Sequence, residues 1–215
     1  MRRGRLCYHP GIMTRPTGSL ARGLVAGLWF LLAATAARAD NSTYLAGQFL
    51  VATTQIGDPR FAKTVVYMVA HDDQGAVGLI VNRVYGKGRL DKFLEGFKIE
   101  PQDAKGDILL HYGGPVEPSA GFVLHTADFR GPGTRVVNER MALTSEISVL
   151  KAIADGKGPK KSLFALGYAG WGPGQLEGEI ARGDWLSAPA DETLIFDGDA
   201  ESMWDRVQGQ AGIKL

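Results

Sequence analysis

Five side chains close to apolar or glycine-rich segments are of the types that a ligand-binding pocket needs. Asn82 ends one apolar run and His125 lies in another, while Tyr168, Trp171 and Gln175 lie in the glycine-rich segment GYAGWGPGQ. Aromatic faces, an amide and an imidazole near the start of a helix can hold a small anionic or planar ligand. The competing interpretation is that the aromatic rings fill the core, as they usually do, and that Gln175 bonds to loop backbone.

A second glycine-rich turn contains Gly113 and Gly114, directly before Pro115. Exposed backbone N–H groups in such a turn can bind a phosphate. The competing interpretation is structural: a tight turn requires glycine where φ is positive or where two backbone segments approach closely. The chain has neither a GxGxxG fingerprint nor a P-loop. Together with the five side chains above, the two glycines are therefore candidate ligand-binding positions, without a recognised phosphate-binding motif.

Histidine is the residue type on which an enzymatic function would depend, and three histidines follow residue 39. His71, His111 and His125 are separated by 40 and 14 residues, a spacing that matches no zinc signature. The chain has no Gly-x-Ser-x-Gly nucleophile motif either. We expect His71 to be exposed at a strand end and His125 to be hydrogen-bonded in the core or at its rim. The sequence thus predicts no catalytic residue, no metal and no cofactor. An enzyme that uses His125 or His71 with Asn82 is the alternative.

Residues 1–39 have the composition of a secretory signal peptide. They contain six Arg and no Asp or Glu, and residues 24–37 form an apolar run shortly before Ala39 and Asp40. A basic start, an apolar stretch and small residues before a cleavage point are the parts of such a leader. The run has 14 residues, whereas a membrane-spanning helix needs about 20. We therefore predict cleavage between Ala39 and Asp40, with no permanent membrane span afterwards. A mitochondrial transit peptide and an extension on a cytosolic protein are the alternatives.

Cleavage of this leader predicts a protein that begins at Asp40 and is periplasmic or secreted. N-terminal sequencing of the protein purified from separated fractions of its native host measures both properties. Chains that begin at Met1, or at the alternative start Met13, in the cytosolic fraction would show a cytoplasmic protein instead.

Removal of residues 1–39 would change the formal charge from +1 to −5, because 18 Lys and Arg then face 23 Asp and Glu. A negative domain lacks the basic surface on which binding to DNA or RNA depends. The only Cys, Cys7, is lost as well, which excludes disulfides and thiol chemistry. The partners that the composition favours are a small ligand or another protein.

The order of the predicted elements favours the α+β class, with a single compact domain over residues 40–215. Apolar and β-branched runs predict a series of antiparallel strands first, and helices are inserted later. No low-complexity linker divides the chain. The predicted strands are residues 49–54, 63–70, 76–82, 107–112, 121–126, 134–138, 162–168 and 192–196. The predicted helices are residues 89–97, a helix capped by Thr144 or Ser145 that ends near residue 155, and residues 173–182 and 201–208.

Three blocks of the sequence resemble the YqgE/AlgH family, in the order that the family has them. They are residues 47–83, residues 111–126 (HYGGPVEPSAGFVLHT) and residues 165–191 (ALGYAGWGPGQLEGEIARGDWLSAPAD). The resemblance implies a compact α+β fold with a mainly antiparallel, barrel-like sheet flanked by short helices. It implies no established activity and no catalytic residues, although some members are named as transcriptional regulators.

Three features depart from the family pattern. The family's members usually begin near Phe49 and are regarded as cytosolic, whereas a leader precedes that residue here. Thr54 replaces a common Pro, and Asn82 is followed by Arg83 and Val84 where the family commonly has Lys and Pro. Because an exported protein cannot act on transcription by binding DNA, the leading hypothesis is a non-enzymatic regulatory or binding module. A transcriptional regulator is a further alternative.

Overall fold

The computed structural model describes residues 44–100 and 104–211, so the predicted cleavage site at Ala39 and Asp40 lies outside the described residues. These residues belong to one compact unit, residues 41–215. The described strands are β1 (Gln48–Ala52), β2 (Val65–Asp72), β3 (Gly75–Ile80), β4 (Val84–Arg89), β5 (Asp107–Tyr112), β6 (Val116–Thr126), β7 (Thr134–Val136), β8 (Met141–Thr144), β9 (Ser162–Trp171) and β10 (Trp185–Pro189). The described helices are α1 (Leu90–Gly96), α2 (Ser148–Ala154), α3 (Gln175–Ala181), α4 (Glu192–Phe196) and α5 (Ala200–Gln208). None of these helices has the length and apolar character needed to cross a bilayer.

The strands form one curled sheet in which β9 is the central strand. The main path runs β10-β1-β2-β3-β9-β6-β8-β7, and β5 pairs with β9 while carrying β4 at its own outer edge. The β5–β9 pair is parallel, and the other ladders are antiparallel. The sheet resembles half a barrel with a few short helices, which confirms the α+β class.

The strands in the middle of the sheet are buried on both faces, which explains why their sequences are continuously apolar. In β1, Phe49 and Val51 belong to the main core cluster, while Leu50 and Ala52 belong to a second cluster. Residues of β2 and β3 alternate between the same two clusters. Because side chains alternate along a strand, the two clusters lie on opposite faces of the sheet.

Short helices cover both faces. Helices α4 and α5 contribute Leu194 and Met203 to the main core cluster. On the opposite face, α3 contributes Leu176 to the second cluster. Further along that face, Leu94 of α1 and Leu150 of α2 pack in a third cluster.

The prediction of a strand at residues 192–196 was wrong, because these residues form helix α4. The side chain of Asp191 accepts the backbone N–H of Thr193 at the start of this helix, a typical N-cap. The apolar composition of so short a segment does not distinguish a strand from one buried helical turn. Thr144 is the last residue of β8 rather than a helix cap, and α2 begins at Ser148 without a side-chain cap.

Three strands were not predicted, and none of them has a clear local pattern. Strand β4 has the sequence VYGKGR and every residue in it is exposed, so it carries no alternating pattern. Strand β8 is four residues long. Strand β10 pairs with β1 over five residue pairs, a contact that local sequence does not reveal.

Candidate functional site

Trp171, at the end of β9, and Trp185, at the start of β10, are joined to helix α3 by Glu179. Oε2 of Glu179 accepts the Nε1–H of both indoles at 2.8 Å, and Oε1 accepts the side-chain amide of Gln175 at 2.9 Å. The indole rings lie edge to face with centroids 5.8 Å apart. Glu179 thus fastens α3 to the sheet, which is the arrangement that the packing interpretation of Trp171 expects.

The glycine-rich turn fixes the start of α3. Gly174 has φ = 71° directly before Gln175, the first residue of the helix, and glycine adopts this left-handed conformation without strain. Oε1 of Gln175 accepts the N–H of Gly172 at 3.1 Å. The same side chain therefore closes the turn and reaches Glu179.

A cleft of about 650 Å³ lies beside this cluster, between residues 55–61 and α3. We call it the arginine cleft, because Arg60 and Arg182 both line it. Trp171 and Gln175 line it as well, so it contains two of the seven candidate positions. Its apolar surface comes from Ile56, Phe61, Pro115 and Val116.

The carboxylates of the arginine cleft are more fully hydrogen-bonded than its guanidinium groups. Asp58 accepts from the backbone N–H, Nε and Nη2 of Arg60, and its side-chain bonds to Arg60 lower the pKa of Asp58. Asp184 accepts only from Nη2 of Arg182, at 2.9 Å. Within residues 44–100 and 104–211, we find no acceptor for Nη1 of Arg60 or for Nε and Nη1 of Arg182. The cleft therefore has N–H donors on its two arginines that no described protein group uses.

Asn82 lies outside the arginine cleft and connects two strands. Its Oδ1 accepts the N–H of Val65 at 2.8 Å, and its Nδ2 donates to the carbonyl of Lys63 at 2.9 Å. The amide therefore holds the chain after β3 against the start of β2.

The backbone at Gly113 and Gly114 lies in close contact with the backbone of β9. A Cβ on Gly113 would lie 2.2 Å from the carbonyl oxygen of Gly167, and a Cβ on Gly114 would lie 2.2 Å from the carbonyl carbon of Tyr168. The ring of Tyr168 packs edge-on against Phe122. None of these three candidate positions lines the arginine cleft, so the structure does not bring the seven candidates into one site.

His125 is fully buried and belongs to a directed chain of hydrogen bonds. Its Nδ1 donates to the carbonyl of Thr126 at 2.8 Å, so Nε2 accepts from Oγ1 of Thr144 at 2.9 Å. Thr134 donates in turn to Oγ1 of Thr144 at 2.7 Å. This chain needs a neutral imidazole, and burial lowers the pKa of His125 in agreement with it. The ring lines neither the arginine cleft nor the larger cleft described below.

Acidification is expected to destabilise the fold through His125. Below about pH 6.5, the ordinary pKa of histidine, the unfolded chain takes up a proton that the folded chain does not. The free energy of unfolding then falls by up to about 1.4 kcal/mol per pH unit until the lowered folded pKa is reached. Urea unfolding of the wild type and of His125→Gln, between about pH 7.5 and about pH 5.5, measures this slope. The variant should lose less stability, and an equal loss in both proteins would contradict the assignment.

His71 is buried, so the prediction that it is exposed was wrong. Strand β2 continues through His71, and α3 covers it. Its Nδ1 accepts the N–H of Leu45 at 3.1 Å, so Nε2 donates to Oε1 of Glu177 at 2.8 Å. Both ring nitrogens of His71 are thus bonded to protein groups, and His71 lines neither the arginine cleft nor the larger cleft described below.

A larger cleft, of about 1020 Å³, lies between the β4–β5 ribbon and the segment that joins α4 to α5. Asn82 lines this cleft together with His111, a histidine that was not among the candidate positions. We call it the histidine cleft. The three histidines are thus in three different environments, and no group of His, Cys, Asp or Glu that could hold a metal exists among the described residues.

The residues that sequence reasoning missed are the charged ones. Glu179 was not among the candidate positions, although it accepts from both tryptophans. Arg60 and Arg182 each lie two residues from the Asp that holds them. That spacing was the available signal, and only Arg182 lies next to the helix that follows the glycine-rich segment.

Comparison with known proteins places the chain in a family. A family model described as AlgH-like matches residues 49–215. A UPF0301 protein of Methylococcus capsulatus is 48% identical over 169 residues, which cover 79% of this chain and 92% of the relative. A UPF0301 protein of Rhizorhabdus wittichii is 49% identical over 175 residues, which cover 81% of this chain and 93% of that protein.

Solved structures share the fold. The solution structure of the AlgH protein from Pseudomonas aeruginosa aligns with a TM-score of 0.68 at 41% identity, covering 80% of this chain and 91% of that one. A crystal structure of a protein from Corynebacterium diphtheriae aligns with a TM-score of 0.59 at 21% identity, over 76% and 85% of the two chains, and shows the common fold alone. The matched family model and these relatives agree with the three sequence blocks, and the chain belongs to the AlgH-like family.

Proposed function

We propose that the chain is a non-enzymatic binding module whose arginine cleft holds a small organic anion. One observation carries the proposal: two arginines with unused donors line a cleft in which the carboxylates are already bonded to protein donors. The unused guanidinium donors favour a ligand with an anionic acceptor group. That group must bind directly at the arginines, because Asp58, Glu179 and Asp184 together with Arg60 and Arg182 give the cleft a formal charge of −1.

The size of the cleft supports a small molecule. Its volume of about 650 Å³ lies within the roughly 300–1,000 Å³ that ligand pockets occupy. Apolar surface from Ile56, Phe61 and Val116 lies beside the arginines, so the ligand has an apolar body as well as an anionic group.

Displacing the internal ion pairs costs little. The side chains of Arg60 and Arg182 are 62% and 64% exposed in their pairs with Asp58 and Asp184, and such exposed ion pairs contribute little to stability. A guanidinium group also presents five donors in a fixed fork, so each arginine can keep its Asp and still bond to a carboxylate or phosphate.

Other functions have less support. Neither His71 nor His125 lines the arginine cleft, so an enzyme that depends on them has no substrate site there. Without the leader the charge is −5. A negative domain has few basic groups to neutralise phosphates and release their counterions, and nucleic-acid binding depends on that release. With the leader removed, we propose that the module senses or carries its ligand in the periplasm or outside the cell.

Isothermal titration with phenyl phosphate and benzoate tests the proposal, with phenol and benzylamine as uncharged and cationic controls. Both anions should bind saturably and the controls should not. Arg182→Gln should weaken phenyl phosphate binding by at least about tenfold, because a charged hydrogen bond contributes roughly 1.5–3 kcal/mol. The matched control is Arg135→Gln, an exposed arginine of β7 outside the cleft. If neither anion binds, or both variants bind alike, the proposal fails.

A further inference from the structure

The histidine cleft is a second site with chemistry of its own. It opens onto the main core cluster, which contributes Val81, Leu163 and Met203 to its lining. Side chains at its mouth are apolar yet exposed: Val84 at 43%, Tyr85 at 58% and Leu109 at 45%. An exposed apolar surface around a concave opening is typical of a ligand site.

His111 gives this cleft its only imidazole. Nδ1 of His111 lies 3.3 Å from the carbonyl oxygen of Phe164, and a carbonyl can only accept. Nδ1 therefore carries the proton and Nε2 carries a lone pair. Burial lowers the pKa of His111, which keeps the ring neutral at neutral pH.

Nε2 of His111 differs from the other histidine nitrogens in the described part of the chain. His71 and His125 each have protein partners at both ring nitrogens. The His111 ring bonds to the backbone carbonyls of Phe164 and Leu109, and carbonyls only accept, so no group among the described residues donates to Nε2. The cleft thus contains an acceptor, in a fixed tautomer, without a protein donor.

The charged groups around the histidine cleft are largely engaged. Both terminal nitrogens of Arg83 donate to backbone carbonyls, Asp107 pairs with Lys87, and Asp199 accepts the first N–H groups of α5. No guanidinium fork is free to hold an anion, in contrast to the arginine cleft.

We infer that the histidine cleft binds a neutral amphipathic molecule, whose planar apolar body lies against Tyr85 and Leu109 and whose hydroxyl or N–H group donates to Nε2 of His111. This inference does not depend on the function proposed for the arginine cleft, because the two clefts share no residue.

The test uses 2-naphthol and its methyl ether, 2-methoxynaphthalene, in which a methyl group replaces the donor hydrogen. The full chain should bind 2-naphthol about fivefold more tightly than the ether, as expected for one hydrogen bond. Binding of 2-naphthol should also shift the ¹⁵N resonance of His111 Nε2, and the ether should not. Equal affinities, an unmoved Nε2 resonance or no binding at all would overturn the inference.

Two variants separate the acceptor from the shape of the cleft. His111→Gln keeps an acceptor and should retain the preference for 2-naphthol, whereas His111→Leu should abolish it. If both variants fail to fold, the wild-type Nε2 shift and the wild-type affinity ratio still decide the question. Naphthalene-2-carboxylate serves as the charged control. If this anion binds and the ¹⁵N resonance of His111 Nε2 does not shift, the anion occupies the arginine cleft and not the histidine cleft.

Discussion

Gly114→Ala is expected to lower the free energy of unfolding by about 3 kcal/mol or more, or to prevent folding. Gly114 has φ = 152°, a conformation that side-chain-bearing residues rarely adopt. The added methyl group would also lie 2.2 Å from the carbonyl carbon and 2.3 Å from the carbonyl oxygen of Tyr168. These atoms are backbone of the central strand β9, which pairs with three other strands and so cannot move aside cheaply.

Equilibrium unfolding in urea measures this effect, and the chain supplies a matched control. Gly86 lies in β4, and a Cβ there would meet nothing within 4 Å. Gly86→Ala should change stability by no more than about 0.5 kcal/mol. Similar losses in the two variants would show that close packing against β9 is not the reason for glycine at position 114.

Glu179→Ala should lower the free energy of unfolding by about 2–4 kcal/mol. The indoles of Trp171 and Trp185 are 7% and 1% exposed, so the loss of Glu179 leaves two buried N–H groups without their acceptor. Each such group costs roughly 1–3 kcal/mol. Because Gln175 loses its contact too, the start of α3 and the wall of the arginine cleft loosen together.

Glu177→Ala is the control on the same helix. Its carboxylate is 46% exposed and makes one side-chain hydrogen bond, to His71. Its removal leaves one buried N–H without an acceptor instead of two, so it should cost about half as much, roughly 1–2 kcal/mol. Urea unfolding compares the two variants, and indole ¹H–¹⁵N spectra report on the tryptophan environment. An equal cost for both would remove the special role assigned to Glu179.

The sequence revealed those parts of the fold that local pattern controls. Residues 107–112 were predicted as a strand and form β5 with the same bounds, because a short apolar run between turn residues is a local signal. The edge strand β4 has no such run and exists through its ladder with β5. At residues 192–196 a capped helix was mistaken for a strand, since five residues carry too little periodicity to separate the two.

The candidate site was predictable only in part, for a similar reason. Trp171 and Gln175 lie near each other in sequence, and the structure brings them into one cleft. Arg60 reaches that cleft from a loop more than 100 positions away along the chain, and only the folded sheet unites them. Asn82 and His125 have the right residue types, but their polar atoms are bonded to backbone or to threonine.

The most direct test of the arginine cleft is the indole region of a ¹H–¹⁵N spectrum during titration with phenyl phosphate. Trp171 and Trp185 line the cleft, whereas Trp204 bonds to the carbonyl of Ala52 and lines neither cleft. The indole resonances of Trp171 and Trp185 should shift and saturate together while that of Trp204 stays unchanged. No shift, or an equal and unsaturable drift of all three, would contradict the binding of a small organic anion at this site.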